Sequence, residues 1–270
     1  PIMLALRQGK SRWGRLLMGT LAVVTVLAIL LTGSRGGFIG LGVVLAAVIA
    51  FPLSRDGSGA LMKFSVSGTL IRCGILLLTV VLAWGYIPAD TQQRMATLLN
   101  LRNDYNADPT ENGSRLLIWQ QDIGLVWKRP IGYGLGSVEL VNGLAGGQYR
   151  TAHNSFVQAL VELGVFGLLI YIRALFTTWR ELGRVIVLTK APSAGEKQQK
   201  AALYARSLRI ALAGNVAAGF FLSQAYAAGL WMLIATAATL VRITVPTPAA
   251  TSSSQLARGA SPVRSGRGRD

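Results

Sequence analysis

The run LLMGTLAVVTVLAILL, residues Leu16 to Leu31, is followed by TGSRGG, Thr32 to Gly37, and then by FIGLGVVLAAVIAFPL, Phe38 to Leu53. This stretch decides the fold. Each apolar run, with its flanks, approaches the roughly 20 residues that cross a bilayer as a helix. The link between them is too short for anything but a tight helical hairpin, which places Arg35 at its tip.

The composition agrees with a membrane protein. Apolar residues make up 51% of the chain and charged residues only 14%, well below the quarter typical of soluble domains. Mean hydropathy is +0.45. The formal charge is +16, from 27 Lys and Arg against 11 Asp and Glu. A nucleic-acid binder would cluster such an excess on one soluble face; here the basic residues lie between apolar runs, as in cytoplasmic membrane loops. Cys73 is the one cysteine, so no internal disulfide forms, and its place in an apolar run suits a packing residue.

Moving outward from the hairpin, Arg7, Lys10, Arg12 and Arg15 precede the first run, and Ser54 to Arg72 is a polar loop. A third run spans Cys73 to Ile87. Residues 90–154 form a long loop, Phe156 to Phe176 is a fourth span, and a basic loop runs from Arg180 to Arg209. Two last spans follow, about Ile210–Leu222 and Tyr226–Val241. The expected class is therefore all-α and polytopic, with about six transmembrane helices. Its organisation is 1–89 with three helices and the Arg hairpin, 90–154 as the outer loop, 155–245 with three more helices, and 246–270 as a disordered basic tail. With both termini cytoplasmic, 20 of the 27 Lys and Arg lie inside and seven outside, which satisfies the positive-inside rule. The opening Pro1-Ile2-Met3, without a signal-peptide pattern, is expected of a piece of a longer protein.

Within the loop, Ser114 to Trp127 reads as an amphipathic helix, with Leu116, Trp119, Ile123 and Val126/Trp127 on one face. Asn112 or Ser114 caps it, Pro130 ends it, and its tryptophans suit a membrane interface. Arg115, in its first turn, joins a guanidinium to the helix dipole at an anion site. Gly132-Tyr133-Gly134-Leu135-Gly136 reads as a tight turn or as a backbone nest for a phosphate; with no preceding strand it is no dinucleotide fingerprint.

His153, in Arg150-Thr151-Ala152-His153-Asn154-Ser155, is the only histidine. It is either a cap or hydrogen-bonded structural residue, or a general base titrating near neutrality. A single histidine with no cysteine or carboxylate at ligand spacing argues against zinc. Arg35 either snorkels to lipid phosphate or holds a phosphorylated ligand by paired hydrogen bonds. Glu162, two turns into the fourth span, reads as an interhelical hydrogen-bonding residue more readily than as a catalyst.

Four segments in order, Thr32 to Gly37, Ser114-Arg115 with Trp119, Pro130 to Gly136, and Ala152 to Phe156 leading to Glu162-Leu163-Gly164-Val165-Phe166-Gly167, resemble the O-antigen ligase and O-antigen polymerase superfamily of bacterial envelope proteins. The resemblance covers about residues 16–241. It implies a glycosyltransferase of the bacterial inner membrane, acting at the periplasmic face without metal or cofactor. The donor it implies is a glycan on undecaprenyl diphosphate, and the acceptor is lipid A–core, a growing glycan or a protein. Arg35 and Arg115 match the family's outward arginines, and His153 matches its loop histidine. Members have about twelve spans, so six correspond to a C-terminal half. Polymerase and protein O-glycosylation ligase remain alternatives within the family. Outside it, a small-solute or anion transporter is the rival, and that class predicts an internal repeat which the sequence lacks.

Overall fold

The computed structural model describes residues 1–8, 10–51, 53, 114–145, 149–188 and 195–245, with isolated positions between 66 and 92. The expected third span Cys73–Ile87, most of the Ser54–Arg72 loop, the start of the long loop and the tail lie outside the described residues.

Among the described residues every regular element is an α-helix. They are α1 (Ile2–Leu6), α2 (Arg12–Leu31), α3 (Arg35–Ala50), α4 (Arg115–Lys128), α5 (Val138–Leu144), α6 (Ser155–Leu188), α7 (Glu196–Gly219) and α8 (Ala228–Thr244). By length and apolar composition α2 and α6 can cross a membrane, and α3 and α8 are shorter apolar helices.

The hairpin forms for local reasons. Gly33 takes φ 61° to end α2, a left-handed stop that glycine adopts without steric cost. Ser34 then caps α3 by accepting from the Gly37 amide at 3.3 Å, so Arg35 is the first residue of α3. No residue of α2 is buried within the chain, as expected of a helix that is apolar all round and solvated by lipid.

Helix α7 is central and contacts α1, α3, α6 and α8. Its contact with α3 is a seam of small residues. A side chain at Gly40 would come within 2.8 Å of the Gly214 carbonyl, and one at Gly36 within 2.7 Å of Leu222. In lipid, where burying apolar surface gives little drive, such close backbone approach supplies the packing. Gly40→Leu is therefore expected to cost about 1–3 kcal/mol of helix association. Thermal unfolding in detergent measures this, and an unchanged melting point would contradict the seam. On its other side α7 joins α6 and α8 through Leu208, Leu212, Leu175, Leu182, Leu230 and Leu233.

The fourth span differs from expectation. Gly164 has φ 71° and ψ −172°, a region open essentially to glycine alone, and it breaks α6 into two limbs. The rings of Phe156 and Tyr171 lie 5.6 Å apart, whereas fifteen residues along one straight helix would separate them by about 22 Å. The chain thus folds back at Gly164, and the crossing limb starts there rather than at Phe156. Phe156 also meets Phe220, at the end of α7, at 4.7 Å. The first limb therefore stands up from the bundle end, and Glu162 sits near its tip, not two turns deep in a span.

A further expectation is corrected. The basic stretch from Arg180 to Arg209 is largely helical: α6 continues to Leu188 and α7 begins at Glu196, four turns before the expected Ile210. Glu181–Arg184 at 2.6 Å and Glu196–Lys200 at 2.7 Å, both ion pairs at helical spacing, support those extensions. The buried face of α4 is Ile118, Asp122, Leu125 and Val126, while Leu116, Ile123 and Trp127 are exposed. The stripe read from the sequence thus faces mostly away from the protein, as a helix lying on the membrane surface requires, and of its residues Val126 joins the core.

Candidate active site

The glycine motif of residues 132–136 and the glycine at 164 interlock. The break in α6 frees the carbonyls of Val161 and Glu162 and the amide of Val165. Tyr133 N donates to Val161 O and Gly134 N to Glu162 O, both at 2.9 Å, and Val165 N donates to Pro130 O at 3.0 Å. These three groups released by the break thus find partners in the loop, as buried backbone requires. A side chain at Gly132 would lie 2.5 Å from the Glu162 carbonyl, and one at Gly164 would overlap the Pro130 carbonyl. The motif forms tight turns, with Gly132 N donating to Arg129 O at 3.0 Å and Ser137 N to Gly134 O at 3.3 Å, and is also the loop half of a backbone clasp. Glu162 completes it: Oε1 accepts from Val138 N at 3.4 Å. Burial, and then the Glu162 carboxyl beside it, push the Tyr226 phenol well above its usual range. The expected hydrogen-bonding role of Glu162 is met, on the loop rather than between spans.

His153 sits below this clasp. The cap of α6 is Asn154, whose Oδ1 accepts from the Phe156 and Val157 amides at 2.8 and 3.1 Å. The histidine is therefore not the cap. It holds φ 47°, the one positive φ outside glycine among the described residues, a sparsely populated conformation at a candidate site. The preceding residue is fixed by Trp119 Nε1, which donates to Ala152 O at 2.7 Å. Burial lowers the His153 pKa below its usual value, Arg115 and Arg150 lower it further, and Glu139 opposes them. The half-buried imidazole is thus held neutral between two guanidiniums, in the form that can take a proton.

The segments bearing the three residues singled out from sequence each contact one turn, Phe220–Ala227, between α7 and α8. Ser155 Oγ donates to Leu222 O at 2.7 Å and accepts from Gln224 N at 2.9 Å, which ties the His153 segment to it. The Arg115 guanidinium lies 6.0 Å from the Phe221 ring. Gly36, next to Arg35, packs against Leu222 and Phe221. Below the turn an apolar cavity of about 1010 Å³ opens between α6 and α7, with Trp119, Phe156, Phe220 and Phe221 at one end and Trp179 at the other. Sequence reasoning passed over Ser155 as an anchor and Asp122 altogether. The signal for Asp122 was an acid one turn from Ile118 and Val126, on the face taken to be polar.

These features define a helical membrane protein in which three polar segments meet one turn beside an apolar cavity. The chain belongs to the O-antigen ligase family, whose model matches residues 20–172. It is also similar to the "Putative polysaccharide ligase RP358" of Rickettsia prowazekii (strain Madrid E), 23% identical over 236 residues, covering 79% of this chain and 55% of that protein. The chain thus spans little more than half the length of the curated relative it matches. No solved structure matches it significantly.

Proposed function

We propose that the protein transfers a glycan from undecaprenyl diphosphate to an acceptor sugar hydroxyl, in the manner of an O-antigen ligase, at the periplasmic face of the bacterial inner membrane. The observation that supports this reading is the contact of the segments bearing Arg35, Arg115 and His153 with one turn, Phe220–Ala227, whose Phe220 and Phe221 also line the apolar cavity. A polyprenyl tail would lie in that cavity, leaving its diphosphate beside the two arginines. His153 takes the proton of the acceptor hydroxyl as the oxygen attacks the anomeric carbon. The bond from that carbon to the diphosphate breaks, and displacement in one step inverts the centre. The leaving diphosphate gains negative charge, which Arg35 and Arg115 stabilise more strongly in a partly dehydrated site than in water. The acceptor is lipid A–core sugar, and membrane lipids surround the remaining helices.

The test is complementation of a ligase-deficient strain by the full-length protein, with surface polysaccharide read on a gel and protein level checked. Arg35→Ala and Arg115→Ala are each expected to lower transfer about a hundredfold or more. Wild-type polysaccharide from both variants would overturn the diphosphate assignment. Core lacking O-chain identifies a ligase, whereas core bearing one repeat identifies a polymerase.

The His153 environment adds a pH prediction. Because the imidazole must be neutral to act, the rate rises with pH through its lowered pKa. Arg150→Gln removes a neighbouring positive charge, so the acid limb shifts to higher pH, and Glu139→Gln shifts it to lower pH. A limb unmoved by either change would detach His153 from the rate.

A further inference from the structure

Asp122 is fully buried, with 0% exposure, and neither carboxyl oxygen has a hydrogen-bond partner. An isolated buried carboxylate is among the costliest groups a fold can hold. Facing it is Asn142 on α5, itself 2% exposed. The Asn142 orientation is fixed, because its Nδ2 donates to Arg150 O at 3.2 Å; a flipped amide would set oxygen against oxygen. Its Oδ1 is then left as a second buried acceptor without a donor.

Two buried groups of like character, side by side, lack one proton between them. If Asp122 were ionised, the second hydrogen on Asn142 Nδ2 could serve the carboxylate, but Oδ1 would still lack a donor. The acid form removes both deficits, because its O–H can donate to Oδ1. Burial pushes the Asp122 carboxyl up to about 7, against a smaller opposing pull from the Asn142 amide. The titratable groups on the surrounding elements include Arg115 and Lys128 on α4 itself, Glu139 on α5, Arg150 and His153 on the connecting segment, and Glu162 on α6.

We propose that Asp122 is a buried carboxylic acid whose proton bridges to the Asn142 side-chain oxygen, and that the pair positions the segment bearing His153. The chain of contacts is short. Asp122 holds Asn142, Asn142 holds the Arg150 carbonyl, and Trp119, one turn from Asp122, holds the Ala152 carbonyl. Above neutrality the acid ionises, sets its charge against Oδ1, and releases the segment. The importance of this for transfer rests on His153 acting as the base; the pairing itself does not.

Two readouts on the full chain in micelles test it without any transfer assay. The first is the infrared carboxylic acid C=O band. It is expected in the wild type at mildly acid pH, to fade as pH rises through about 7, and to be absent from Asp122→Asn. A missing band would mean an ionised Asp122, for example one solvated by internal water, and would overturn the proposal. The second uses the lone histidine as a single-signal NMR probe. The His153 ring resonance is expected to move with Asp122 ionisation in the wild type, to lose that movement in Asp122→Asn, and to be displaced at all pH in Asp122→Leu. A resonance identical in all three proteins would overturn the positioning role even if the band is found. In transfer, Asp122→Asn keeps the wild-type rate at neutral pH and extends it to alkaline pH, while Asp122→Leu loses about a hundredfold in kcat through misplacement of the base. Normal transfer by His153→Ala would sink the general-base reading and leave both spectroscopic results standing.

Discussion

Replacement of Gly164 by alanine is expected to destabilise the loop end of the molecule by on the order of 5 kcal/mol, comparable to the whole stability of a small domain. Two independent costs combine. The backbone at φ 71° and ψ −172° lies where any side chain is strained by about 1–3 kcal/mol. The added methyl would also overlap the Pro130 carbonyl, so the loop must move away, and the bonds from Tyr133, Gly134 and Val165 go with it. Each buried group left without a partner costs roughly 1–3 kcal/mol. Gly132→Ala attacks the same clasp from the loop side, and its effect should overlap that of Gly164→Ala rather than add to it, since contacting residues are coupled. Limited proteolysis between residues 114 and 164, with thermal unfolding in detergent, measures both. A Gly164→Ala protein as resistant as the wild type would show that the clasp does not hold the loop.

The second large effect falls on chemistry. His153→Ala should lower glycan transfer by between about a hundredfold and ten-thousandfold, the usual worth of a positioned general base. Because His153 occupies a left-handed backbone, alanine confounds loss of the base with backbone strain. His153→Asn separates them, since asparagine tolerates that conformation but cannot act as a base near neutrality. Both variants should be equally inactive while only alanine lowers the melting point. An active His153→Asn protein would reduce the imidazole to a structural residue. Core sugar in excess should rescue neither, because the lost contact is made to the reacting proton and not to bound substrate.

What could be read in advance follows from which interactions are local. The hairpin was legible because Gly33, Ser34 and Arg35 set their own conformation. So was the start of α4, where Ser114 accepts from the Leu117 amide at 3.2 Å. The exposed apolar stripe of α4 was legible, but its buried face was not, because that face carries Asp122 among Ile118, Leu125 and Val126. The full length of α7 was obscured by Lys197, Lys200, Arg206 and Arg209, whose charges mark the edge of an apolar run but do not end a helix. The fold-back of α6 hid for another reason. Gly164 looks like any small residue in a span until Pro130, Tyr133 and Gly134 are known to lie against it. Arg35, Arg115 and His153 could be singled out as chemical types, but the meeting of their segments at Phe220–Ala227 is a property of packing between distant segments.

That difference in range gives the molecule a timetable. The clasp joins residues about thirty positions apart, and contacts so near in sequence form early because little chain entropy opposes them. Arg115, Asp122, Asn142 and His153 therefore come together as a preassembled cap as soon as Val165 is available to bond Pro130. Arg35 arrives by a different route, through the glycine seam between α3 and α7, whose partners lie far apart in the chain. The last event in building the site is thus the docking of one helix tip onto a cap already made. An assembly intermediate halted before that step would present the base without the arginine of the hairpin.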